Sequence, residues 1–102
     1  MALPARNHRI TLEEAAAHTR RHREAKVHAI GSGAFHKDQV QELLNQKGCV
    51  GLRVHLGRNA DGSPTVVLTG IDQADSDLVK DVILEQWLPC PPFCGAQNAL
   101  NS

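Results

Sequence analysis

The spacing of apolar residues changes period near residue 48, and ahead of that point it is helical. Thr11-Leu12-Glu13-Glu14 fits a capping box, in which the Thr11 hydroxyl accepts from the Glu14 amide and the Glu14 carboxylate reaches back. Ile10, just before the cap, is placed to staple against Ala15. The spacing predicts a helix from there to about Lys26 or Val27. Its stripe of Leu12, Ala15, Ala16, Thr19 and Val27 is thin, so this helix should lie on the surface of the fold. Gly31-Ser32-Gly33 reads as a connector, since it lacks the preceding strand and following lysine of a phosphate loop. A second helix is predicted from Lys37 to Gln46, with Val40, Leu43 and Leu44 facing inward, Phe35 just ahead and Gly48 as its left-handed stop.

Beyond Gly48 the period is two. Val50, Leu52, Val54 and Leu56 alternate with Gly51, Arg53 and His55, the pattern of a half-buried strand. Gly57 to Pro64, with Asp61-Gly62 inside it, reads as a hairpin loop, and Thr65 to Ile71 as a central strand. The next segment carries two signals. Leu78, Val79, Val82, Ile83 and Trp87 would line one helical face, yet Val82-Ile83-Leu84 is also a good strand core. A strand from Val82 to Trp87 is the reading adopted, and a helix over 78–87 stays open as the alternative. The fold class expected is therefore α+β, with two N-terminal helices packed on a three-stranded antiparallel β-meander. Residues 1–9 are expected to fray and 10–102 to form a single domain, with Val50, Leu52, Val54, Val66 and Leu68 in its core.

Composition narrows the core chemistry. Among 102 residues only Phe35, Trp87 and Phe93 are aromatic, so Leu, Val, Ile and Ala must fill the interior. The net charge of zero conceals a split. Residues 1–60 hold ten Lys/Arg against five acidic side chains, a net of +5, while residues 61–102 hold Lys80 against six, a net of −5. The halves can attract each other, two copies can pack head to tail, or the basic part can meet an anionic partner. No apolar run approaches the ~20 residues of a membrane-spanning helix, and the first residues lack the apolar stretch of a secretory signal. Three cysteines make no disulfide framework, so a reducing cytoplasm is the expected compartment.

Candidate chemistry is sparse, and no catalytic set is identifiable. His18 and His22 share a helical face but lack the glutamate of a zinc-peptidase helix, and Arg21, Arg23 and Lys26 would oppose a cation. Arg20, Arg21 and Arg23 form a candidate interaction surface. With no aromatic to stack on bases, nucleic-acid binding is not expected. The densest chemistry lies in Cys90-Pro91-Pro92-Phe93-Cys94. In an extended polyproline run its two thiols would stand roughly 12 Å apart, so a disulfide requires the segment to turn. If it turns, Cys90 and Cys94 either pair or hold zinc together with Cys49 and a histidine. Otherwise the prolines form a rigid turn that docks Phe93 on the core or presents it for recognition.

Gly48-Cys49-Val50-Gly51-Leu52-Arg53-Val54, Leu68-Thr69-Gly70-Ile71-Asp72, Cys90-Pro91-Pro92-Phe93-Cys94-Gly95 and Asn98-Ala99-Leu100 together resemble a family of small uncharacterised bacterial proteins. The resemblance spans roughly residues 35–100. It implies kinship of fold and brings no activity. His22 and His55 stand where that family commonly has an aromatic, which argues against special chemistry at either. The expected function is a non-enzymatic module that binds a protein partner or a second copy. The alternative is a metal-binding or redox-responsive thiol protein using Cys90, Cys94 and Cys49. Zinc at those cysteines is the one cofactor the residues suggest, and they name no small-molecule ligand.

Overall fold

A computed structural model describes residues 2–101. In chain order the elements are α1 (Leu12–Ala25), β1 (Ser32–Ala34), α2 (Lys37–Leu44), β2 (Gly51–Arg58), β3 (Pro64–Ile71), β4 (Asp77–Leu84) and β5 (Leu88–Cys90). They divide between two compact units. One, the sheet unit, comprises residues 1–5 and 35–87; the other, the ribbon unit, comprises 6–34 and 88–102. The α+β class and the three-stranded meander match expectation. Two further features do not: a separate two-stranded sheet forms, and α1 groups with it rather than with the meander.

In the sheet unit β2, β3 and β4 run antiparallel in that order. Leu52 opposes Gly70, Val54 opposes Leu68, Leu56 opposes Val66, and Leu68 opposes Leu84. Opposed residues share a face, so these side chains form one apolar face of the sheet, with Arg58 at its end. The helix α2, capped by the His36 ring accepting from the Asp38 amide at 3.2 Å, buries Leu43 against Leu68 and Leu84. Phe35, Val40, Val66 and Val82 surround that contact. A helix about 10 Å across spans roughly two strands spaced about 4.8 Å apart. Strand β2 is left uncovered on the same face. Leu52, Val54 and Leu56 are 40%, 51% and 90% exposed, and Val50 is exposed as well. The alternation in β2 was read correctly, but the expectation that Val50, Leu52 and Val54 are core is corrected.

The ambiguous segment is a strand, earlier than expected: β4 closes at Leu84, and Trp87 lies beyond it. Gly70 pairs with Leu78 and its neighbour Thr69 with Ile83, which leaves residues 79–82 outside the ladder. Such a bulge breaks the two-residue period. It accounts for the apparent helical spacing of Leu78, Val79, Val82 and Ile83. Gln46 stitches the bulge to the end of α2: its Nε2 donates to the Leu43 carbonyl at 2.9 Å, and its Oε1 accepts from the Val82 amide at 3.2 Å. Gly70 makes this junction possible. A Cβ there would stand 3.0 Å from Cys49 Sγ, 3.0 Å from Gln46 Nε2 and 3.2 Å from Leu78 Cδ1.

In the ribbon unit the capping box of α1 forms as expected, with Thr11 Oγ1 accepting from the Glu14 amide at 3.1 Å. Gly31-Ser32-Gly33 is more than a connector. Ser32, Gly33 and Ala34 pair antiparallel with Cys90, Pro89 and Leu88, and the Gly31 amide donates to the Cys90 carbonyl at 3.1 Å. A ribbon this short has no signature in apolar period, because its burial is exposed throughout β1. No helix is long and apolar enough to cross a membrane among the described residues.

Candidate functional site

The ribbon delivers Cys90 to one wall of a cavity of about 440 Å³. Past Cys90 the chain turns through two cis peptide bonds, Cys90–Pro91 and Pro91–Pro92, and Cys94 returns to form a disulfide with Cys90. Their Cα atoms lie 4.7 Å apart, well inside the reach of such a bridge. The Phe93 amide donates to the Pro89 carbonyl at 2.9 Å and the Cys94 amide to the Pro92 carbonyl at 3.1 Å, so the loop is held from within. Phe93 projects from it 57% exposed. The expectation that Phe93 docks on a core is corrected: backbone hydrogen bonds and the disulfide fix the loop, and the ring is left to solvent.

Two other segments complete the cavity. Thr19, His22 and Arg23 recur at the three- and four-residue spacing that places them on one face of α1, and all three line it. From the tail come Asn98 and Asn101. Arg23 Nη1 donates to the Leu100 carbonyl at 2.8 Å, tying helix to tail. Asn98 Oδ1 accepts from the Leu100 amide at 2.8 Å, Asn101 Oδ1 accepts from the Asn98 amide at 2.8 Å, and Asn101 Nδ2 reaches the Ala96 carbonyl at 3.1 Å. No carboxylate among the described residues lines the cavity. Its unit holds six Lys/Arg against three Asp/Glu, a net of +3, whereas the sheet unit holds five against eight, a net of −3.

The candidate residues thus separate. Cys90 and Cys94 are joined, while Cys49 is a free thiol of the sheet unit, directed at the Gly51 carbonyl at 3.1 Å. Arg23 is structural as well as cavity-lining. Arg20 and Arg21 are exposed on α1, and Arg21 Nη2 lies 2.9 Å from His18 Nδ1. Among the described residues no three His, Cys, Asp or Glu side chains converge as metal ligands.

A polar network that sequence reasoning did not assemble covers the other face of the sheet. Arg53 Nη1 donates to Asp77 Oδ1 at 2.7 Å and to the Asp75 carbonyl at 3.3 Å, and its Nη2 pairs with the Asp75 carboxylate. His55 Nε2 lies 3.1 Å from Asp77 Oδ2 and 3.3 Å from Thr69 Oγ1. The one ring nitrogen meets both groups, so this is not a relay through opposite sides of an imidazole. Partial burial works against the charge on Asp77, yet hydrogen bonding and attraction from Arg53, with help from His55 and Thr69, hold its carboxyl below the usual range. The Asp77 hydrogen bond in turn raises Arg53. The network pins β2 to the turn after β3, where Asp75 takes a positive φ of 65°. The signal that could have found it is the alternation itself, which puts Arg53 and His55 together on the face opposite Val54.

Compared with protein-family models, curated proteins and solved structures, the chain matches none.

Proposed function

We propose that the protein is a non-enzymatic interaction module that pairs with a second copy of itself along the open edge of β2. The observation that carries this reading is the exposed strip of Leu52, Val54 and Leu56 on an edge strand. Exposed edges with apolar side chains are ordinarily blunted by charge, proline or a bulge, and the face of β2 that carries Leu52, Val54 and Leu56 has none of these between them, Arg53 and His55 being engaged with Asp75 and Asp77 on the opposite face. The strip is also palindromic. Antiparallel pairing about a two-fold axis at Val54 would set Leu52 against the Leu56 of the other copy, an isologous contact. The proposed compartment is the cytoplasm. Kinship with the small bacterial proteins that share these motifs is proposed on the same β2 segment and the cysteine–proline loop.

Sedimentation equilibrium tests the reading. A concentration-dependent dimer is expected, abolished by Val54→Lys with the circular dichroism spectrum unchanged. A wild-type chain that remains monomeric at its solubility limit, or a Val54→Lys chain that dimerises equally well, overturns it.

A further inference from the structure

We infer that the cavity beside Cys90 and Cys94 is a docking site for an anionic low-molecular-weight thiol, which exchanges with their disulfide. This inference concerns the ribbon unit and does not depend on pairing at β2.

Three observations converge. Both residues of the disulfide line the cavity, and Cys94 is exposed where Cys90 is half-buried, which makes Cys94 the residue an incoming thiol would attack. The volume of about 440 Å³ lies within the range of small-ligand pockets, about 300–1,000 Å³. The α1 part of the lining adds a cation, Arg23, and the ring of His22, both with hydrogen-bonding capacity to spare. Among the described residues the Arg23 guanidinium makes one hydrogen bond, to the Leu100 carbonyl, and the His22 ring makes none. With no carboxylate in the lining, a negative charge on the incoming thiol finds partners and no repulsion.

The exchange balances without any other reagent. The thiolate of the small molecule attacks Cys94 Sγ, the bond between Cys94 and Cys90 breaks, and the Cys90 thiolate leaves and takes a proton from water. A second small thiol then attacks the small-molecule sulfur of the mixed disulfide and releases Cys94. Two thiols are oxidised to one small disulfide, and the protein disulfide is reduced to two thiols. Run in reverse, the small disulfide takes the two electrons back and re-closes the loop, so its closed and open forms follow the ratio of small disulfide to small thiol.

The test compares reduction of the full chain by mercaptoethanesulfonate, mercaptoethanol and cysteamine, which differ in charge. Rates are expressed per thiolate, because thiol acidity alone alters the apparent rate. Quenching with an alkylating agent and weighing the intact chain reads the reaction, with one alkyl group for the oxidised chain and three for the reduced one. The anionic thiol is expected to exceed the cationic one by about tenfold, the effect of one charge-assisted contact, and its rate is expected to saturate. Arg23→Gln should erase that preference, and Arg23→Lys and Arg20→Gln should retain it. His22→Gln, which breaks no contact of the fold, should weaken it. Equal rates per thiolate in the wild type, a preference that survives Arg23→Gln, one that His22→Gln leaves undiminished, or an equal loss in Arg20→Gln overturns the assignment.

Discussion

In the sheet unit Leu43 is fully buried against Leu68 and Leu84, and Ile71 is buried on the other face of β3; in the ribbon unit the one buried apolar side chain among the described residues is Ala16. Alanine offers little surface to remove from water, so the ribbon unit cannot be held by the hydrophobic effect that holds the sheet. It uses instead a capping box, a short ladder, the Arg23 contact to Leu100, a set of asparagine turns and a disulfide. Small units without a core are commonly stapled in this way. The comparison teaches that one short chain can draw on two kinds of stabilisation, and that they should fail under different insults.

The largest effect separating them is expected in the sheet. Leu43→Ala removes the side chain that α2 sets into the sheet, and should cost about 2–5 kcal/mol in a denaturant melt. Losses of that size approach the total stability of a small domain. The sheet should therefore unfold while the ribbon disulfide stays intact. Replacing both Cys90 and Cys94 with Ser should cost about 2 kcal/mol, from the loop-closure entropy of so short a loop, and the loss should be confined to the ribbon unit. Phe93→Ala should cost less than that double replacement, because the ring is exposed; a larger loss would mean that the ring is packed after all.

Acid provides an intermediate probe of the sheet. Because Arg53 and its neighbours hold Asp77 below its ordinary value, the ionised carboxylate stabilises the folded chain. That contribution is complete above about pH 4 and is lost as pH falls through the lower folded value. Asp77→Asn should flatten the acid limb of the stability curve and leave neutral thiol exchange unchanged. An acid limb identical to wild type would remove the network from the account. The smallest effect is expected at Val54. Measured at a concentration where the chain is monomeric, substitution of this residue by Asp should shift stability by no more than about 0.5 kcal/mol, whereas a core position would not tolerate the charge.

Much of the sheet unit was legible in the sequence because burial imposes a period. Leu43, the alternation of β2 and the central strand β3 could be read directly, as could the capping box at Thr11, whose chemistry is local. What escaped depends on neighbours. Whether Val54 is buried is decided by the width of α2, not by β2, and the bulge over 79–82 erased the period that would have identified β4. The ribbon was least legible, since Ser32 to Ala34 bury nothing and their partners lie more than fifty residues away. Of the candidate site, the prolines showed that Cys90 and Cys94 could meet only through a turn, and they do meet. The addition of Thr19, His22 and Arg23 to that site, and the separation of Cys49 from it by unit, required the fold.

Native-state hydrogen exchange, with and without a thiol reductant, tests most directly whether the two units are held by different forces. On reduction the amides of Gly31, Phe93 and Cys94 should lose protection, while those of α2 and β3 should exchange as before. Simultaneous loss of protection in both units would contradict the account, because it would make the disulfide a support of the Leu43 core rather than a staple for a unit without one.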